Sequence, residues 1–187
     1  MRITGGLSKG RSLAALKGMK IRPTTDQVRE AVFSILGQDL EGRSVLDLFA
    51  GTGIMGIEAL SRGAKTALFV DNSTQALKII KKNLLICGYE EKGKCLKRDL
   101  RKGLPPMTAP VTEIFDLAFL DPPYDKGLIP PVLISLSESY LMADDSWVVA
   151  ESSRFDELPE SAGLLTMTDI RIYGDTKISL YRNEVNI

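Results

Sequence analysis

Between residues 44 and 153 the chain alternates short apolar runs with stretches of helical periodicity, and few architectures accept that order. "SVLDLFAG" reads as a strand, Ile54 to Ser61 as a helix and "TALFVD" as a strand. Ser73 to Cys87 reads as a helix with Ala76, Ile79, Ile80, Leu84 and Cys87 on one side. "KCLKRD", "FDLAFLD" and "SWVVAES" supply further strands, with a helix between Leu128 and Tyr140. Apolar strands joined by helices require a parallel sheet covered on both faces. The last segment, "LLTMTDIRIYGDTKISLYR", instead alternates around Gly174 and Asp175, the mark of an antiparallel hairpin. The expected fold is α/β: a doubly wound, Rossmann-like sheet, mostly parallel, ending in an antiparallel hairpin.

Ahead of this core, "RPTTDQVREAVFSIL" places Val28, Ala31, Val32, Ile35 and Leu36 on one helical face, with Thr24 and Gln27 in capping-box spacing. Residues 1–23 form a Gly- and Lys-rich arm compatible with a short hairpin, and residues 24–187 form the sheet domain. Residues 1 to 30 hold seven basic and two acidic side chains although the whole chain has a net charge of zero. A basic arm on a mildly acidic body suits contact with a polyanion. The expected contacts are Arg2, Lys9, Arg11, Lys17, Lys20, Arg22 and Arg29.

The chain has no histidine and two cysteines, Cys87 and Cys95, outside any CxxC spacing. Zinc sites and relays built on histidine therefore lack their usual members, and no metal is expected. With no long apolar run and no signal-peptide core at the N-terminus, a cytoplasmic monomer without membrane contact is the expectation. Chemistry must run on carboxylates, positioning and a cofactor.

In doubly wound sheets ligands sit at the carboxyl ends of the strands. There the chain carries "DLFAGTGIMG", in which Gly51, Gly53 and Gly56 make GxGxxG, and Asp71 follows Gly51 by 20 residues. The spacing meets the wording of a dinucleotide fingerprint. Asp47 argues otherwise, because a carboxylate beside the glycine loop would repel a pyrophosphate. S-adenosylmethionine has no phosphate and carries an ammonium and a sulfonium, so the same carboxylate attracts it. Asp71 is placed to take the ribose hydroxyls and Asp99 the adenine amine, with a plain helix cap as the bland reading of Asp99.

The fourth strand runs into "DPPY", Asp121 to Tyr124, whose prolines end the strand. Asp121 and the Pro122 carbonyl are two acceptors at fixed spacing, a match for the two hydrogens of an exocyclic amine. Tyr124 can stack on the base. Transfer of a methyl to that amine needs alignment and no strong base.

"DLFAGTG" with "DPPY" resembles the class I, S-adenosylmethionine-dependent amino-methyltransferases. "RITGG", "KGR", "RPTTDQVREAVFSIL", "VLDLFAGTGIMGIEALSRGA", "FDLAFLDPPY" and "YGDTKISLYR" together resemble the RsmD-type bacterial 16S rRNA guanine-N(2)-methyltransferases. The resemblance implies that Asp47, Gly51 and Gly53 line the methionyl end of S-adenosylmethionine, and that Asp71 and Asp99 hold ribose and adenine. Asp121, Pro122, Pro123 and Tyr124 would receive a guanine of small-subunit ribosomal RNA, free or within an assembled particle, leaving S-adenosylhomocysteine. Asp71 stands where Glu is frequent and Gln27 where Arg is frequent. The competing readings are a DNA adenine or cytosine amino-methyltransferase, a protein glutamine methyltransferase, and a Rossmann-like nucleotide-binding scaffold.

Overall fold

Strand β1 (Ser44–Leu48) is an interior strand, third from one edge of an eight-stranded sheet, and its alternation sets the two layers of the core. The computed structural model describes residues 1–15, 25–108, 111–123 and 126–184. Along the chain follow α1 (Asp26–Leu36), β1, α2 (Ile54–Ser61), β2 (Thr66–Asp71), α3 (Thr74–Cys87) and β3 (Gly93–Lys97). A 3-10 turn (Leu100–Lys102), β4 (Phe115–Leu120), α4 (Ile129–Ser137) and β5 (Met142–Ser153) come next, then β6 (Ser161–Ala162), β7 (Leu165–Tyr173) and β8 (Thr176–Asn183). The strand order is β3-β2-β1-β4-β5-β8-β7-β6. Strands β1 to β5 pair in parallel, whereas β8 joins β5 antiparallel and β7 joins β8 antiparallel. The order reverses between β1 and β4, which opens the crevice at their carboxyl ends.

Val45, Phe69, Leu117, Phe119 and Val149 pack on one face against residues of α1, α2 and α3, including Phe33, Ile57 and Ile80. Leu46, Leu48, Val70, Ala118, Leu120 and Val148 pack on the other against Ile129, Val132, Leu133 and Leu136 of α4. The expected doubly wound sheet with an antiparallel end is thus the observed one. Short β6 and the 3-10 turn carry no periodicity signal and were not expected.

Helix α2 is buried along its whole length, so it needs cover on the side away from the sheet. The N-terminal arm supplies it. Its two limbs pair through an Arg2–Ser12 bridge, with Ile3 N–H donating to Arg11 O at 3.0 Å and Leu13 N–H to Met1 O at 3.0 Å. Ile3 and Leu13 enter the core, and Thr4 donates backbone N–H and Oγ1–H to Glu58 of α2 at 2.9 and 2.6 Å. A Cβ on Gly5 would meet the Arg62 guanidinium at 2.2 Å, and Gly6, at φ +74°, leaves 1.9 Å from such an atom to Ser61 O. The two glycines of "RITGG" let the arm lie directly on the end of α2.

Glu58 also binds Arg62 at 2.9 Å and lies 3.7 Å from the Arg29 guanidinium, all three being buried. Arg29 further donates to Asp26 at 2.9 Å and to Arg2 O at 2.7 Å. This corrects one expectation: Arg29 belongs to an internal ion network and not to a surface facing a polyanion. Its helical position falls on the same side as Val28, Val32 and Phe33, where the arm closes over it. The α1 cap also differs from the capping box, since Thr25 Oγ1 accepts from Val28 N–H at 3.3 Å. Thr24, Lys17, Lys20, Arg22 and Tyr124 lie outside the described residues.

Candidate active site

Asp47 occupies a strand position that should be apolar. It shares the face of Val45 and pairs in register with Phe69 on one side and Phe119 on the other, and it is only 2% exposed. Its Oδ2 accepts from Gly56 N–H at 3.0 Å, in the first turn of α2. Burial pushes its pKa up to about 8, against the Gly56 bond, which pulls it down; the charge of Asp71 adds to the rise. The glycine loop that follows β1 turns through three left-handed positions: Phe49 at φ 60°, Gly51 at 54° and Gly53 at 75°. Phe49 there is a strained non-glycine residue of the sort that clusters at functional sites. A Cβ on Gly56 would lie 2.4 Å from the Phe69 ring and 3.1 Å from Asp47 Oδ2, so the third glycine keeps room for that carboxyl.

Asp71, half-buried at the end of β2, holds the loop by accepting from Gly51 N–H at 2.9 Å and from Ser73 N–H at 2.8 Å. Asp99 stands past the end of β3, where it caps the 3-10 turn and pairs with Arg101 at 2.8 Å. That hydrogen bond holds its carboxyl well below the usual range. Asp121 follows β4 beside β1, its N–H directed at Leu48 O at 3.5 Å. Burial raises its pKa well above the ordinary value, and the charges of Glu151 and Asp47 raise it further. The structure therefore brings Asp47, Gly51, Gly53, Asp71 and Asp121 to one crevice. Asp99 stands just past the end of the neighbouring strand β3, its carboxylate engaged by Arg101.

Two residues of the site went unnoticed in the sequence. Glu151, buried at the crevice end of β5, lines a cavity of about 120 Å³ with Pro122, Pro123, Ile129, Ser152 and Leu158. Its signal is an acid inside the apolar run "SWVVAES". Asn83, on the buried face of α3, accepts from Ala14 N–H at 2.8 Å and donates to Ala14 O at 3.1 Å and Thr52 O at 3.0 Å. One amide thus ties the arm to the glycine loop. Of the expected surface cations, Lys9 and Arg11 are exposed, with Arg11 reaching Ile86 O; Arg2 pairs with Asp26 at 3.1 Å. A further basic stretch runs over α3 and β3, where residues 78 to 102 hold nine basic and three acidic side chains.

The arrangement is rich in carboxylates, and Asp47 already takes one amide of the α2 N-terminus, Gly56 N–H. It suits a cationic ligand whose neighbour offers hydrogen-bond donors.

The model of the family described as "Conserved hypothetical protein 95" matches residues 1–182. The chain is 39% identical to "Putative rRNA methyltransferase YlbH" of Bacillus subtilis, over 97% of this chain and 98% of that protein. It is 33% identical to "Ribosomal RNA small subunit methyltransferase D" of Haemophilus influenzae, over 98% and 94%. Among solved structures, "Putative methyltransferase yhhF from Escherichia coli" superposes with a TM-score of 0.86 at 28% identity, covering 100% of this chain and 99% of that one. With a family model and relatives that span nearly the entire chain, this protein belongs to the Conserved hypothetical protein 95 family, the RsmD-type methyltransferases of the class I fold.

Proposed function

We propose that the protein transfers a methyl group from S-adenosylmethionine to the exocyclic N2 amine of a guanine in 16S ribosomal RNA. The observation that carries the reading is the Asp47 bond to Gly56 N–H at 3.0 Å. The helix N-terminus that would receive a pyrophosphate already holds the Asp47 carboxyl, whose ionisation a cation favours and a pyrophosphate opposes, so the crevice favours a cation over a dinucleotide. The full-length relatives named as rRNA methyltransferases support RNA as the substrate.

The residues present fit the cofactor. Asp47 and the loop of Gly51 and Gly53 would hold its cationic methionyl end, Asp71 the ribose and Asp99 the adenine. When bound, S-adenosylmethionine supplies an electrophilic methyl on a sulfonium. Asp121 and the Pro122 carbonyl accept the two N–H bonds of the amine and turn its lone pair out of conjugation. The nitrogen becomes a strong acid once alkylated, so no strong base is required and Asp121 or water takes the released proton. Tyr124 stacks on the base. Most of the rate comes from this alignment and from acceptors already in place.

The test is incubation of the purified protein with S-adenosylmethionine and unmodified 16S rRNA, followed by nucleoside mass spectrometry. N2-methylguanosine is the expected product, and Asp121→Ala should abolish it while S-adenosylhomocysteine affinity stays within a few fold. Methyl appearing only on adenosine, cytidine or protein would overturn the reading.

A further inference from the structure

The cavity beside the two prolines holds three carboxylates to which the methyl-transfer mechanism assigns no role, and Glu151 is the buried one. Leu120 pairs in register with Ala150, so Asp121 and Glu151 are the next positions on neighbouring parallel strands. Glu151 is 7% exposed and lines the cavity with Pro122 and Pro123. Lys126 stands at the same cavity, as do Asp156 and Glu157. Glu151 stands at the crevice end of β5, and its neighbour Asp121 feels its charge.

The bases that carry an exocyclic amine differ in what stands beside that amine. Guanine presents N1–H next to its N2 amine, two donor groups in a row, with O6 as an acceptor beyond. Adenine and cytosine place a ring lone pair next to theirs. A second carboxylate beside the amine-holding Asp121 accepts from a donor pair and repels a lone pair. We propose that Glu151 is a specificity residue that accepts the N1–H of the target guanine, with Lys126 on the side of O6. This rests on the reading of the N2 amine as the methyl acceptor.

A base with the amine but without N1–H tests the interaction. RNA carrying 2-aminopurine at the mapped target position keeps the N2 amine, replaces N1–H by a lone pair and lacks O6, a second loss that is the same for every variant at position 151. The wild-type protein should prefer guanine in kcat/KM by on the order of 10- to 100-fold, the range for one base-edge hydrogen bond. Glu151→Ala should lower that ratio to the preference that O6 alone supports. In Glu151→Gln the amide can turn its NH2 toward the 2-aminopurine lone pair, so the ratio should fall further still. Intrinsic differences between the two amines cancel when ratios are compared across variants. The same order should appear without turnover, in competition binding read by 2-aminopurine fluorescence with S-adenosylhomocysteine present. A wild-type protein indifferent to the two bases, or variants that lose rate equally on both, would overturn the role of Glu151 and leave N2 methylation standing. Absence of N2-methylguanosine in the wild-type reaction would instead remove the reading on which this rests.

Discussion

Asp47 is costly for folding, and the binding role proposed for it would account for that cost. Its folded pKa of about 8 lies above the value of 3.8 for a free aspartate, so the folded state holds a proton that the unfolded state releases. Stability contributed by that proton is present below pH 4 and is lost as pH rises toward 8. Asp47→Asn should therefore raise denaturant stability at pH 8 by on the order of a few kcal/mol and flatten its decline with pH. The same variant should lose S-adenosylmethionine affinity, because a neutral amide no longer attracts the cation. In the wild type that affinity should climb between pH 6 and 8 as the carboxyl ionises. Urea titrations and calorimetry at several pH values check both halves, and a pH-independent affinity would mean that Asp47 does not face the ligand. Gly56→Ala tests the neighbouring space: a Cβ 2.4 Å from the Phe69 ring should cost about 1 to 3 kcal/mol by overpacking.

Among the elements, α2 decides what the sequence revealed and what it hid. Ile54 to Ser61 was legible as a helix, and the strands around it were legible too, because periods of two and of 3.6 depend only on local spacing. Asp47, Gly51, Gly53, Asp71 and Asp121 could be placed at the crevice because topology puts all strand ends of a parallel sheet on one side. The partners of a polar side chain are another matter. Arg29 reads as a surface cation in one dimension and becomes a buried one only when Thr4, Glu58 and Arg62 arrive from 25 to 33 residues away. Glu151 escaped for the same reason: its cavity is made by loops distant in sequence. The network on α2 yields a prediction of its own. Glu58→Ala leaves two buried guanidinium groups without their shared carboxylate, and the expected loss is about 3 to 5 kcal/mol in chemical denaturation. Arg62 also lies 4.7 Å over the Phe33 ring, an attraction that would not make up for it.

For the whole molecule, charge distribution matters more than net charge. Lys9 and Arg11 on the arm, and Lys78, Lys81 and Lys82 along α3, are exposed cations on elements that flank one another through Asn83 and Ile86. Each neutralised phosphate releases a counterion, so RNA affinity should fall steeply with salt. Lys9→Ala with Arg11→Ala should weaken RNA binding and reduce the slope of log affinity against log salt by about one for each phosphate left without its cation. Lys78→Ala with Lys82→Ala asks whether α3 shares in that binding. Filter-binding isotherms over a salt series read both, and wild-type slopes in both variants would place the RNA on another surface.

The docking of the arm also carries a kinetic consequence. Thr4, Ser8, Arg11 and Ala14 find their partners at sequence separations of 54, 53 and 81, 75, and 69 residues. Closing such long loops is entropically expensive until α2 and α3 are already seated on the sheet, so pairings of this kind form late. A mutation that removes one of the arm's side-chain bonds, such as Thr4→Val, should accelerate unfolding far more than it slows refolding. The arm would then act as a latch on the lifetime of the native state, shutting last and opening first.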